Sequence, residues 1–172
     1  MSVSAPAPGA GSASDRAVAR DGTLHASAVA LGRRGVLILG PSGSGKTRLA
    51  LELVALGAAR VADDRVALAP SPAGVLMRAP EALAGLVEIR GAGVLAHPFQ
   101  ESALCLFAVR LAAPSGTRAG ARLPEPRGLA LVGREVALFD YAGGLYPAGL
   151  LAMLRAGRVA GDAPCPASRL DA

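Results

Sequence analysis

Eight consecutive residues, Gly40-Pro41-Ser42-Gly43-Ser44-Gly45-Lys46-Thr47, fit G-x-x-x-x-G-K-[ST], the pattern of a loop that cradles nucleotide phosphates. Its glycines let the backbone curl so that several N–H groups converge on one anion, and the helix start behind it adds partial positive charge. In such a loop Lys46 would reach the β- and γ-phosphates of ATP, and the Thr47 hydroxyl would ligate Mg2+. With 22 glycines in the chain, a chance Gly/Ser turn is the competing reading. Composition weighs against it. Lys46 is the single lysine among 18 Lys and Arg residues, so a chain that otherwise uses Arg has kept a compact ammonium here. Arginine's planar fork is no substitute at that place.

Asp63-Asp64 would ordinarily be a solvated turn. The pair follows the short strand Arg60-Val61-Ala62 after the loop's helix, so it emerges at the sheet edge where the loop lies. Two neighbouring carboxylates there suit a metal-linked general base. His25 precedes the loop on a strand that antiparallel pairing would fold back toward it, although a strand histidine near a sheet edge needs no function. In Val87-Glu88-Ile89-Arg90, alternation sets Glu88 and Arg90 on one face, which could be merely solvated. A rival carboxylate is Asp140, after the apolar run Val136-Ala137-Leu138-Phe139, a better Walker-B pattern than Arg60-Val61-Ala62-Asp63. The turn at Gly133 argues instead that this run lies in an antiparallel edge hairpin. The bare residues leave the choice open.

The elements that must hold these groups are legible in outline. Gly35–Leu39 reads as a buried strand, and Arg48–Leu56 as a helix with Leu49, Leu53 and Leu56 at helical spacing and Gly57 ending it. Thr23–Leu31 suits a strand that turns at 32–35. Short strands are expected over 65–68 and 75–78, and a brief helix at Pro80-Glu81. Gly91-Ala92-Gly93 implies backbone near a ligand or a sharp bend. His97 reads as a surface turn residue, and Ala103–Leu111 as a strand. Residues 113–128 form a Pro- and Arg-rich loop, a candidate lid or partner contact. A hairpin spans 129–132 and 136–139, and Leu145–Leu154 closes the chain as a helix.

The 172 residues suit one α/β domain (15–158) between a disordered leader (1–14) and a flexible tail (159–172). Aromatics are only 3%, so Leu, Val and Ala must build the core. A net charge of +5 and a pI near 10.2 invite a nucleic-acid reading. Scattered arginines without interleaved aromatics argue against it, while a basic surface could still steer an acidic protein partner. Cys105 lies in an apolar run and Cys165 between prolines, with no metal or disulfide spacing. With no long apolar span and no signal-peptide order, a soluble cytoplasmic protein without membrane contact is expected.

Taken in order, His25, the glycine loop, Leu51-Glu52-Leu53-Val54, Val61-Ala62-Asp63-Asp64-Arg65-Val66 and Glu88-Ile89-Arg90-Gly91-Ala92-Gly93 resemble the HPr kinase/phosphorylase family over about 23–93. The form resembled is the short alphaproteobacterial one without the usual N-terminal domain. The resemblance implies a P-loop kinase domain with a mixed β-sheet, similar to phosphoenolpyruvate carboxykinase. It implies ATP-dependent phosphorylation of a serine on an HPr-like phosphocarrier protein, and in many members the reverse phosphorolysis. By motif position it makes Asp64 the catalytic carboxylate and His25 the active-site histidine. Lys46 becomes the phosphate-binding lysine, and Thr47 and Glu88 the Mg2+ ligands. A late catalytic arginine matches Arg122, with Arg118 and Arg127 as neighbouring alternatives. Where the family carries a Pro-x-x-x-Gly-Arg-Asn type loop for dephosphorylation, residues 140–147 here hold no basic residue, so only the kinase direction is implied in full. The family also implies a hexameric homo-oligomer. Without the resemblance, the loop alone fits a small-molecule kinase, a generic P-loop NTPase, or a regulator that binds nucleotide without transferring phosphate.

Overall fold

The computed structural model describes residues 22–111, 127–141 and 145–157. Apolar, β-branched runs punctuated by Gly turns give eleven strands: β1 Thr23–Leu24, β2 Ser27–Leu31, β3 Arg34–Leu39, β4 Ala59–Ala62, β5 Val66–Ser71, β6 Gly74–Arg78, β7 Leu86–Ile89, β8 Gly93–Ala96, β9 Ser102–Arg110, β10 Arg127–Leu131 and β11 Arg134–Asp140. The helices are α1, Lys46–Ala55, and α2, Pro147–Ala156, with a 3-10 turn at Glu81–Leu83. Nine strands form one mixed, curled sheet with the path β1-β5-β6-β9-β3-β2-β4. Past its bend, β9 also pairs with β11, which in turn pairs with β10. β3, β9 and β11 run parallel, and every other pairing is antiparallel. β7 and β8 form a separate two-stranded sheet.

Alternation sends side chains to both faces, and both faces are covered. Ala28, Ala30, Leu37, Leu39, Val66, Met77, Cys105, Leu129 and Leu131 belong to one buried cluster. Val29, Val36, Ile38, Phe107 and Val109 meet Leu49 and Leu53 of α1 and Leu150, Leu151 and Leu154 of α2. A register shift between Gly35 and Val36 passes over Leu106, which re-aims the second half of β9. Phe107 and Phe139 meet edge to face at 5.9 Å, one of the few aromatic contacts so aromatic-poor a core can make.

The antiparallel zigzag β2-β3 and β2-β4 fixes the geometry that matters. Because β2 runs opposite to both neighbours, its N-terminal end lies beside the C-terminal ends of β3 and β4. His25, the glycine loop and Asp63-Asp64 therefore gather at one sheet edge.

Several expectations change. The strand foreseen over Thr23–Leu31 breaks at His25-Ala26, where the Ala26 N–H turns to the Asp64 carbonyl at 3.2 Å. Leu56 is the C-cap residue of α1 and 44% exposed, so it does not join Leu49 and Leu53 in the core. β8 was not foreseen, because its four residues are all exposed and carry no inward stripe. β11 sits inside the sheet, parallel to β9, and β10 is the edge strand. β10 also starts at Arg127, inside the expected loop. Gly91-Ala92-Gly93 is a sharp bend, closed by Ala92 N–H donating to the Ile89 carbonyl at 2.9 Å. No helix among the described residues is long and apolar enough to cross a membrane.

Candidate functional site

Gly40 leaves β3 at φ 152°, and Gly43 and Gly45 follow at 80° and 96°, so three glycines carry the backbone through conformations closed to most L-residues. Within this curl the Ser44 N–H donates to the Pro41 carbonyl at 3.2 Å. Among the described residues no backbone carbonyl takes the N–H groups of Gly43, Gly45, Lys46 or Thr47. These donors sit at the N-terminus of α1, where the helix dipole adds to them. Among the described residues the Ser44 hydroxyl, buried, has no hydrogen-bond partner. The loop is a cluster of donors suited to an anionic acceptor.

Two side-chain chains cross this loop. In the first, Lys46 Nζ donates to His25 Nε2 at 3.0 Å and to the Gly40 and Pro41 carbonyls, each at 3.0 Å. His25 Nδ1 faces Asp64 Oδ1 at 3.1 Å and the Asp64 carbonyl at 2.9 Å. Both neighbours of Nδ1 are acceptors, so Nδ1 carries the ring proton and Nε2 accepts from lysine. In the second, Thr47 Oγ1 donates to the Asp63 carboxylate, 3.0 and 3.1 Å from its two oxygens. The Ser27 hydroxyl donates to Asp63 Oδ1 at 2.6 Å from within the sheet. His25 and Ser27 are two apart, Lys46-Thr47 and Asp63-Asp64 adjacent, so the site is built from three neighbouring segments of backbone.

The aspartates part ways because of the backbone. Arg65 N–H bonds the Asp63 carbonyl at 2.7 Å across Asp64, whose φ is +63°. That is a γ-turn of the rarer positive-φ kind, which costs about 1–3 kcal/mol at a non-glycine residue. It leaves Asp63 buried against Thr47 and Asp64 exposed beside His25.

Burial pushes the Lys46 ammonium below its ordinary pKa; Asp64 and Asp63 oppose that shift and Arg90 reinforces it. A base whose folded pKa is depressed binds fewer protons folded than unfolded, in the window between its folded value and about 10.4. Stability from this group therefore rises with pH across that window. In urea unfolding, the gain on moving from about pH 8 to about pH 10.4 should be larger for the wild type than for Lys46→Met. Equal gains would contradict it.

Of the residues singled out from sequence, the structure brings together His25, the glycine loop, Lys46, Thr47 and Asp64. Glu88 lies on β7, exposed, and no hydrogen bond or ion pair joins it to Thr47 among the described residues. Arg118 and Arg122 lie outside the described residues, and of Arg127 only the backbone is described. Asp140 ends β11 opposite Arg110, at the same sheet edge as the loop but with β9 between β11 and β3. His97 is half-buried rather than a surface residue. Sequence reasoning missed Ser27, whose position two residues after His25 was the available signal; it named Asp63 only as half of the Asp63-Asp64 pair and Arg90 only on the face of Glu88. The Arg90 guanidinium stands 3.8 Å from where a Cβ on Gly43 would be, over the loop.

Fold and site together define a mixed α/β domain with a curled sheet and few helices, centred on a lysine-bearing glycine loop. Residues 16–98 match the family model described as HPr Serine kinase C-terminal domain. The HPr kinase/phosphorylase of Bordetella pertussis is 50% identical over 62 residues, which is 36% of this chain and 20% of the relative. That of Xylella fastidiosa is 42% identical over 92 residues, 52% of this chain and 29% of the relative. The chain thus matches only a fifth to three tenths of these relatives' length. The solved Hpr(Ser) kinase/phosphatase from Coxiella burnetii superposes with a TM-score of 0.66 at 22% identity, covering 78% of this chain and 93% of that one. At that identity the likeness is one of fold.

Proposed function

We propose that this chain is an ATP-dependent protein serine kinase domain, with a P-loop fold of the phosphoenolpyruvate carboxykinase-like kind, that phosphorylates an HPr-like phosphocarrier protein. The observation that carries the reading is the wiring of Lys46 to Asp64 through His25. It sets a phosphate-binding cation and an exposed carboxylate on either side of one imidazole. The names of the curated relatives support HPr as the acceptor.

In this mechanism the free N–H groups of the loop bind the ATP phosphates, and Lys46 exchanges a loop carbonyl for a phosphate oxygen. Asp64, held by His25 Nδ1–H, accepts the proton of the acceptor serine as its oxygen forms a bond to the γ-phosphorus. The bond from that phosphorus to the bridging oxygen breaks, and ADP leaves with the electron pair. The Thr47 hydroxyl and the buried Asp63 carboxylate are hard oxygen donors that fit Mg2+, with Glu88 available from β7. Among the described residues no three His, Cys, Asp or Glu side chains cluster as a ready-made metal cage. That suits an ion bound partly through substrate phosphates. Bound Mg2+ would neutralise charge on the transferring phosphoryl group.

Purified protein given ATP, Mg2+ and HPr should yield acid-stable phosphoserine, and Asp64→Asn should lower the rate at least about 10²-fold. Asparagine tolerates the positive φ, so this variant removes the base and keeps the turn. A wild type that makes no phosphoserine on HPr would sink the proposal. One observation favours a second reading, a Walker-B type NTPase: Asp140 ends a strand parallel to the loop's own sheet neighbour. Loss of ATP turnover in Asp140→Asn but not in Asp64→Asn would choose it.

A further inference from the structure

Arg60 does not behave as a strand arginine should. It is 1% exposed and among the largest fully buried side chains, whereas the other arginines whose side chains are described are half-buried or exposed. Its guanidinium leaves β4 and donates to the Leu86 carbonyl at 2.5 Å and the His97 carbonyl at 3.1 Å. Leu86 opens β7 and pairs with Ala96, the last residue of β8; His97 follows, and its N–H closes the pair on the Gly85 carbonyl at 2.8 Å. One side chain thus grips both strands of the hairpin at its base. The Arg60 carbonyl adds a third tie by accepting the Gln100 N–H at 2.7 Å. This hairpin belongs to no other sheet, and β8 is exposed along its whole length; besides Arg60, the buried Val87 and the packing of β7 against α1 hold it. At its far end Arg90 overhangs Gly43.

We propose that Arg60 is a positioning residue: by clamping the base of the β7–β8 hairpin to β4, it sets where Arg90 stands over the glycine loop. The proposal rests on reading that loop as the nucleotide site. Leverage gives the clamp its effect. From Leu86 to Arg90 the strand rises about 13 Å, so a tilt of about 5° at the base moves the tip by about 1 Å. A displacement of that size around a phosphoryl group is enough to cost as much as about 10²-fold in rate. Alternative occupants of the role are absent nearby: no other charged side chain among the described residues bonds a hairpin carbonyl.

The test uses Arg60→Met and Arg60→Lys in the full chain. Arg60→Met keeps an apolar stem of similar length in the buried site but leaves the Leu86 and His97 carbonyls without their donor, so it is the more disruptive of the two variants. Without nucleotide, exchange of the His97 amide should quicken by about 10-fold or more in Arg60→Met while amides of β3 and β9 hold. With ATP and HPr, Arg60→Met should lose about 10- to 10²-fold in kcat/KM, and Arg60→Lys, which reaches one carbonyl, should recover part of that loss. In a double-mutant cycle, Arg90→Met should cost little more once Arg60 is gone. Multiplicative losses in that cycle, or faster exchange with unchanged kinetics, would overturn the proposal. If Arg60→Met does not fold, the same cycle in Arg60→Lys decides by the same criteria. If the wild type neither binds nucleotide nor transfers phosphate, the functional reading fails by itself. The exchange arm then still decides the clamp, and an unchanged His97 amide would refute it.

Discussion

Lys46→Met should lower phosphoryl transfer on the order of 10³-fold while leaving a folded protein. The ammonium is the only lysine cation in the chain, and its three donors are committed to His25 Nε2 and the Gly40 and Pro41 carbonyls. Methionine matches the length of the side chain and supplies no donor and no charge. The acceptors it abandons are not sealed in: the His25 side chain is 47% exposed, so water can reach its ring nitrogen. Loss of a partly desolvated cation and gain of an apolar contact offset one another. The expected change in stability is therefore about 1 kcal/mol in either direction. Rate and fold should separate. Steady-state transfer to HPr alongside urea unfolding reads both, and a variant that keeps a tenth of the wild-type rate would remove Lys46 from the chemistry. Lys46→Arg should fail nearly as badly, since a planar fork cannot thread between two carbonyls and an imidazole built around a tetrahedral donor.

How much of this could be read beforehand depended on the range of the interactions. The glycine loop, the helix after it and the Gly57 stop are local, and their pattern carries the physics directly. His25 and Asp63-Asp64 followed from one further step, that strands alternating in direction bring their ends to a common edge. What the residues themselves could not show was which aspartate is buried and which is exposed. A single positive φ at Asp64 sets that, and nothing in the side chain of an aspartate next to another aspartate announces it. The parallel pairing of β11 with β9 was hidden for a different reason. A tight turn at Val132-Gly133 fixes the antiparallel partner β10 and says nothing about the other edge. β8 escaped because it has no buried face to imprint a period. Arg60 escaped because a buried arginine, defined by two carbonyls about 26 and 37 residues away, looks in sequence like any exposed one. The late arginine, sought at Arg122, belongs to a stretch with no recognisable period at all.

The two networks share a consequence that neither has alone. Lys46 and Thr47 are consecutive at the start of α1, so their side chains leave one helix turn in different directions, one to His25 and Asp64, the other to Asp63 and Ser27. The helix start is thus tied to the segment His25–Ser27 from both sides, and the loop between β3 and α1 has to close within the space that remains. Gly40 is where that closure is tightest. A Cβ there would lie 2.5 Å from Ser44 Oγ, 2.9 Å from the Leu111 carbonyl oxygen and 3.1 Å from Leu111 Cβ. Leu111 cannot retreat easily, because its N–H is bonded to the Leu39 carbonyl at 2.8 Å and its side chain is buried in the cluster that also holds Leu49 and Leu53. Gly40→Ala should therefore cost backbone strain at φ 152° together with overpacking, about 2–5 kcal/mol in all. For a domain of this size that is a fall of roughly 5–15 °C in Tm. Gly45→Ala supplies the comparison: its φ of 96° is also positive, but a Cβ there meets nothing within 4 Å. It should show the strain alone, about 1–2 kcal/mol, and keep the loop's shape. Thermal unfolding of the two variants side by side separates strain from crowding. Equal losses would mean that Leu111 yields and that the loop is not pinned as tightly as its hydrogen bonds imply.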